Sequence, residues 1–341
     1  MGKYIVKRIA YMLIVLVILS FLMFWLYNTA WGDRAFVKTD AEMKPLRSTL
    51  GNKYQAEWDK TYLNYQRQYG TDNPSKVVQY LRWVGVAPYY GGEFRGILQG
   101  EFGVSESNNR KPVIEVVNAP MKNTIIMNIF ATILALGITI PLGIHCAVKR
   151  GKIGDKIMQI LTIIGYSLPT FLIALVFIWI FCVQLDWLPP QGWAGEGASF
   201  DLYMKYMALP LIVSTFCSLG GMTRYVRASM IEALSMDCIR TARAKGLREK
   251  VVIYSHAWRN ALVPIVTLVV GWFLGIFSGS VVIEQTFGVT GMGALMIKAL
   301  NASDRDLIMF LQVFYVLIAL LGNLIIDIVY GLVDPRVRVN K

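Results

Sequence analysis

The sequence predicts an all-α polytopic membrane protein with six transmembrane helices, and two observations carry that prediction. Six charge-free stretches, Ile9–Gly32, Asn123–Val148, Ile157–Leu185, Tyr206–Thr223, Asn260–Ile283 and Leu307–Ile326, punctuate a chain of 341 residues that is 55% hydrophobic. A hydrocarbon core of roughly 30 Å needs about 20 apolar residues at 1.5 Å each. The basic residues then sort to one side of these stretches. With the N-terminus placed inside, the inner segments carry eighteen Lys and Arg against five acids, whereas the two short outer loops hold only Lys205, Lys298 and Arg305 as cations. This is the asymmetry that sets membrane orientation. The net charge of +12 is therefore read as topology, and no nucleic-acid partner is required.

The first stretch follows Lys3, Lys7 and Arg8 as a secretion signal would, but its apolar run exceeds a signal core and no small-residue cleavage site closes it. It reads as a retained N-terminal span, residues 1–32. Residues 33–120 form an extracytoplasmic segment between the first and second spans. There Tyr54, Tyr62, Tyr65 and Tyr69 fall near helical spacing, Asn73-Pro74 starts a turn, Val77–Val86 reads as a short helix, and Gly91-Gly92 opens a loop. Few aliphatic residues are available for a core, so the segment reads either as a spacer or as a docking or lid element. Residues 121–335 make the core with the remaining five spans, and 336–341 a cytoplasmic tail.

Prolines enter the later spans at Pro141, Pro169, Pro210 and Pro264 and predict kinks, which a bundle tolerates because neighbours recover the lost hydrogen bond. The fifth stretch places Gly271, Gly275 and Gly279 four residues apart with Ser278 beside them. That spacing suits close helix packing, and equally a face left open to a translocation path. Asp327 lies deep in the last stretch, within one turn of Asn323 and Tyr330, and reads as a buried hydrogen-bonding group near an interface.

The loop 224–264 is the most specific feature. Asp237 is placed to cap a helix Cys238–Lys245, whose last turn carries Arg240, Arg243 and Lys245 where the helix dipole favours cations. Gly246 is placed to end it in a left-handed turn. A second helix, Glu249–Ala261, would return to the membrane at Pro264. A basic loop lying on anionic lipid is the simpler reading. Against it, Thr241, Ala242 and Ala244 alternate small side chains with the charges, as a helix seated in a protein groove requires.

Chemistry is excluded by what is missing. There is no phosphate-binding G-x-x-x-x-G-K-[ST] loop, no H-E-x-x-H and no G-x-S-x-G; two histidines and four cysteines, three of them in spans, offer no metal set, catalytic constellation or disulfide framework. No catalytic residue, metal or cofactor is expected, and energy must come from another polypeptide.

The run RTARAKGL, Arg240–Leu247, followed by HAWRNALVP resembles the cytoplasmic loop of inner-membrane permease subunits of binding-protein-dependent ABC importers, in the dipeptide/oligopeptide branch. GEFGVS at Gly100–Ser105, KPVIEVV at Lys111–Val117, SLPTF at Ser167–Phe171, VVIEQTFGVTGMG at Val281–Gly293 and NLIIDIVYGLVDPRVR at Asn323–Arg338 are similar to family segments in the same order. The resemblance implies type I importer permease architecture in a bacterial inner membrane, with both termini cytoplasmic. It also implies a second homologous permease, two cytoplasmic ABC ATPases and an extracytoplasmic substrate-binding protein as partners. On that resemblance Asp237, Arg240, Thr241, Ala242, Arg243, Ala244, Lys245 and Gly246 couple to the ATPase, and Gly271, Gly275, Ser278 and Gly279 lie by the path. Peptides are the implied substrate; nickel chelates, haem or oligosaccharides remain open within the same class. A secondary transporter is a further alternative, though no inverted repeat is visible.

Overall fold

The computed structural model describes residues 2–195 and 197–333; Asp334, Arg336, Arg338 and Lys341, and with them the expected tail, lie outside the described residues. Helices dominate. Among the described residues the sole sheet is a two-residue antiparallel ladder with Val104 opposite Pro112. The chain divides into two compact units, one holding Val117–Ile297 and the chain from Ile318 onward, the other Gly2–Val116 with Lys298–Leu317.

Helical runs at Ile5–Tyr69, Val113–Val148, Phe200–Ser235 and Arg305–Val329 contain windows long and apolar enough to cross a membrane. A fifth arises if Ile153–Ser167 and Thr170–Gln184 count as one broken span. Their faces are largely uncovered within the chain: Leu13, Ile133, Ile157 and Val176 are each more than half exposed. Such surfaces suit lipid or neighbouring helices, not water. The protein is a multi-pass membrane protein.

Two expected spans are reshaped. The third bends by 107° at Leu168-Pro169. Proline lacks the N–H that would continue the helix and pushes the preceding residue out of helical space; Leu168 sits at φ −80°, ψ 137°. The fifth is not one helix to Ile283: the helix Trp258–Gly275 stops after 18 residues and a new one begins at Val281. Low helix propensity in Gly-Ile-Phe-Ser-Gly-Ser weakens the run, and Asn128 Nδ2 donates to the freed carbonyls of Ile276 (2.9 Å) and Ser278 (3.1 Å). The expectation that Gly279 continues a helical face with Gly271 and Gly275 is thereby corrected.

In the larger unit, Ile144, Met222, Val226 and Met230 pack with Ile239, Ala242, Val252 and Ala257 in one cluster. A second joins Met127, Ile173, Met207, Val213 and Phe287. In lipid these clusters cohere by close van der Waals contact, because leaving the hydrocarbon gains little. A bidentate pair adds a polar clamp: Arg227 Nε and Nη2 donate to Asp155 Oδ1 (2.7 Å) and Oδ2 (2.8 Å), with Gly151 N–H as a third donor at 2.9 Å. The Asp155 side chain is wholly inaccessible.

The smaller unit contains the helices Gly2–Ala30, Arg34–Met43, Tyr54–Tyr69 and Lys76–Val84. Asp33 caps the second, accepting from the N–H groups of Ala35 (2.8 Å) and Phe36, and also accepts from the Tyr62 hydroxyl. An aromatic group of Phe21, Phe24, Tyr80 and Trp83 packs the first helix on the fourth, with the Tyr80 and Ser20 hydroxyls 2.8 Å apart. The Asn73 side chain accepts from Ser75 N–H, making the expected turn. Asp304 accepts from the hydroxyls of Ser105, the last residue of the GEFGVS run, and of Ser107 (2.6 and 2.7 Å).

Candidate functional site

The expected loop 224–264 starts later than its sequence suggests: residues 224–235 continue the helix Phe200–Ser235, and a glycine-ended helix and a return helix follow. The helix is Asp237–Ala244, one residue earlier than expected, so Asp237 stands in its first turn and Met236 at the capping position with no side-chain bond. Capping by Asp237 is therefore corrected: its carboxylate faces Arg240 at 3.4 Å instead. It still lies where a negative charge complements the helix N-terminus.

The stop is as expected. Gly246 sits at φ +74°, its N–H donating to Arg243 O (2.9 Å) while Leu247 N–H reaches Ala242 O (3.4 Å). That double bond pattern closes a helix C-terminus through a left-handed residue, a backbone conformation that is strained for any residue with a side chain although the space beside Gly246 is open. The Arg243 guanidinium spans the turn to the Glu249 carboxylate at 2.6 and 3.2 Å. The hydrogen bond to Glu249 raises the Arg243 pKa, and the one from Arg243 lowers that of Glu249. Both groups stay about half exposed, so the pair orients the turn and adds little stability.

One face of the helix is pinned. Ile239 and Ala242 are buried against Val252, Ile253 and Ala257, which belong to a π-helical turn Val252–Ala257 that feeds directly into Trp258–Gly275. The rest of the rod presents Arg240, Thr241, Arg243, Ala244 and Lys245 in the open, and Cys238, exposed on the flank, accepts from Asn260 Nδ2 at 3.7 Å. Small side chains alternating with cations leave shallow relief on a rigid rod. Ile239 and Ala242 thereby seat the rod on the turn that leads into the helix Trp258–Gly275.

Gly271 and Gly275 behave differently. A Cβ added at either would meet nothing within 4 Å in this chain, whereas one at Gly279 would overlap the Glu284 carboxylate. The first two leave a face open, and the third lies in a tight cradle. Ser278 lies in the break between the helices.

A family model described as the binding-protein-dependent transport system inner membrane component matches residues 139–339. The chain belongs to that family. Among curated relatives, the oligopeptide transport system permease protein AppB of Bacillus subtilis is 33% identical over 99% of this chain and 100% of its own. The oligopeptide permease OppB of Haemophilus influenzae is 34% identical over 70% and 76%. The glutathione transport system permease GsiC of Salmonella paratyphi A is 30% identical over 99% of both. Among solved structures, an inward facing MetNI methionine ABC transporter aligns with TM-score 0.47 and 17% identity over 63% of this chain and 97% of that one.

The matched stretch of this inner membrane component contains the whole glycine-ended knob and also Glu284, in the run VVIEQTFGVTGMG. Glu284 is fully buried; its carboxylate accepts from Thr124 Oγ1 (2.8 Å) and Ala294 N–H (2.9 Å), and Met292 N–H donates to Thr124 Oγ1 (2.8 Å). It thus satisfies the N-terminus of the helix Met292–Asn301 and ties it to Val113–Val148. Gly279 and Gly291 must lack side chains to admit the carboxylate. The signal was present: one acid between apolar residues, with glycines at fixed offsets on both sides. Asn123 donates to the Thr290 carbonyl (2.9 Å) and hydroxyl (3.0 Å) beside it, so threonine at 290 contributes an acceptor of its own.

Proposed function

We propose that this chain is the permease subunit of an ATP-driven importer of short peptides, and that the knob 237–246 is its coupling element. The observation that carries the reading is end-to-end similarity to a permease named for oligopeptide transport, at 33% identity over 99% of the chain. The knob supports the mechanical part: it is exposed on one face, rigidly seated on the other, and continuous with a membrane helix.

In this reading six spans cross the membrane, with the bent pair as the third and Trp258–Gly275 as the fifth, and both termini are cytoplasmic. Residues 33–120 face the other side, where a substrate-binding protein delivers its load. Two cytoplasmic ATPases grip this knob and that of a second, similar permease. Their closure on ATP moves the return helix, and the path between the two permeases alternates its opening. Gly271 and Gly275, open in this chain, are surfaces for that second permease or for the path. Coupling then equals the difference in knob contacts between the two ATPase states. Glutathione, itself a tripeptide, is a second candidate cargo because of the relative at 30% identity.

The test is purification of the chain from its native membrane and identification of what accompanies it, followed by ATPase assays in lipid. The reading expects ATPase subunits to co-purify and their turnover to rise with peptide-loaded binding protein. Peptide uptake by the chain alone without ATP contradicts it.

A further inference from the structure

The smaller unit holds two neighbouring cavities of about 230 and 350 Å³ that share Arg34, Tyr69 and Arg305 in their walls. The charges around them are unequally matched. Arg34 Nη1 lies 2.7 Å from Asp306, Arg34 Nη2 3.3 Å from Glu106, and Lys38 3.2 Å from the other Glu106 oxygen. Burial would lower the Arg34 pKa, but Asp306 and Glu106 outweigh it and hold the group firmly charged. Two carboxylates thus already serve two cations.

Arg95, also in the wall, lies 3.5 Å from Glu93, whereas Arg305 has no such partner. It is only 9% exposed, it donates Nη2 to the carbonyls of Trp31 (2.7 Å) and Gly32 (2.8 Å), and no carboxylate lies within 4 Å of it among the described residues. Asp33, on the same connection, is occupied in capping Arg34–Met43 and in accepting from Tyr62. Burial and the neighbouring Arg34 work against its charge, and Asp33 and Asp306 favour it only from a distance; a guanidinium with so little access to water and no paired carboxylate is costly unless an anion completes it. Beside it, the buried Tyr69 hydroxyl has no hydrogen-bond partner. Its ring lies against the Arg34 guanidinium at 4.1 Å, which holds the phenol in place.

We propose that this pair of cavities is a binding site for a small organic carboxylate, such as the free C-terminus of a short peptide. The unused N–H groups of Arg305 and the Tyr69 hydroxyl are its donors. A carboxylate accepts a guanidinium edge-on and keeps lone pairs for a third donor, which is the set these two residues offer. Trp83, Tyr89 and Phe102 line the adjoining lobe and receive the apolar remainder of the ligand. Glu101 lines the same lobe and makes no ion pair among the described residues, so an ammonium group is tolerated there.

The site stands apart from the coupling mechanism, and its loss would leave that reading intact. The full chain in lipid nanodiscs is titrated with trialanine and with trialanine amide, read by ligand-observed NMR. Saturable millimolar binding is expected for the acid, with the amide weaker by about tenfold, as loss of a charge-assisted hydrogen bond implies. Tyr69→Phe removes an oxygen that bonds to nothing in the fold, so folding is retained; it should weaken the acid by about tenfold and leave the amide unchanged. Arg305→Lys, which keeps the charge but loses the planar fork, should weaken the acid by a similar factor. Equal affinity for acid and amide, an unchanged Tyr69→Phe, or no saturable binding overturns the proposal.

Discussion

The glycine-ended knob and the charged cluster of the smaller unit use the same residue types for opposite ends. On the knob, Arg240, Arg243 and Lys245 stand in the open and the Arg243–Glu249 pair is about half exposed. In the cluster, Arg34 and Asp306 are largely withdrawn from solvent and Glu106 partly so, with both carboxylates bonded to Arg34. Exposed pairs are screened and contribute little to stability, whereas removing one partner of a buried pair strands a charge. Substitutions on the knob should therefore be visible in transport, and substitutions in buried clusters in folding.

The strongest test of that division is Gly246→Val. A β-branched side chain at φ +74° is strained, and the turn that aims the rod must change. Uptake and stimulated ATPase activity should fall by more than about tenfold, while the amount inserted in the membrane stays normal; about 1–2 kcal/mol of local strain does not unfold a bundle. Next comes the buried clamp of the larger unit. Asp155→Asn or Arg227→Met should cost about 3–5 kcal/mol, seen as a lower melting temperature in detergent, and replacing both by apolar residues should recover much of it. Thr124→Val, which removes one donor to Glu284 and the acceptor for Met292 N–H, should cost about 1–3 kcal/mol. Arg243→Ala should change the melting point by less than about 1 kcal/mol yet reduce ATPase stimulation.

The smallest effect is a pH dependence. Burial alone would raise the Glu106 pKa, but Lys38 and Arg34 outweigh it and hold it below the ordinary value. A carboxylate depressed in the folded state stabilises above its unfolded pKa, about 4.3, and loses that contribution as pH falls through the lower folded value. Stability should hold flat from pH 7 to 5 and decline below about 4, and Glu106→Gln should flatten that decline.

How much of this was legible in the sequence differs by feature. Gly246 was readable because only a left-handed stop explains a glycine after RTARAK, and the tyrosine-spaced helix 54–69 followed from periodicity alone. The Asp237 cap was not, because a one-residue shift of the helix start moves the side chain from the end of the rod to its flank. Pro169 marked a break, but a 107° bend depends on how Leu168 is held and not on proline alone. Glu284 and Arg305 escaped notice since their meaning lies in partners 160 or more positions away, Thr124 in one case and the Trp31-Gly32 carbonyls in the other.

The central claim, that the knob seats in a partner's groove, can be read directly from Cys238. This thiol is exposed on the flank of the rod, where it accepts from Asn260 Nδ2 at 3.7 Å, whereas Cys146 is buried and Cys182 and Cys217 are partly covered. Maleimide labelling of membranes should modify Cys238 rapidly in the chain expressed alone and slowly once the ATPase subunits are present, with the protection varying between nucleotide-free and ATP-bound states. Equal labelling rates with and without those subunits would contradict the account.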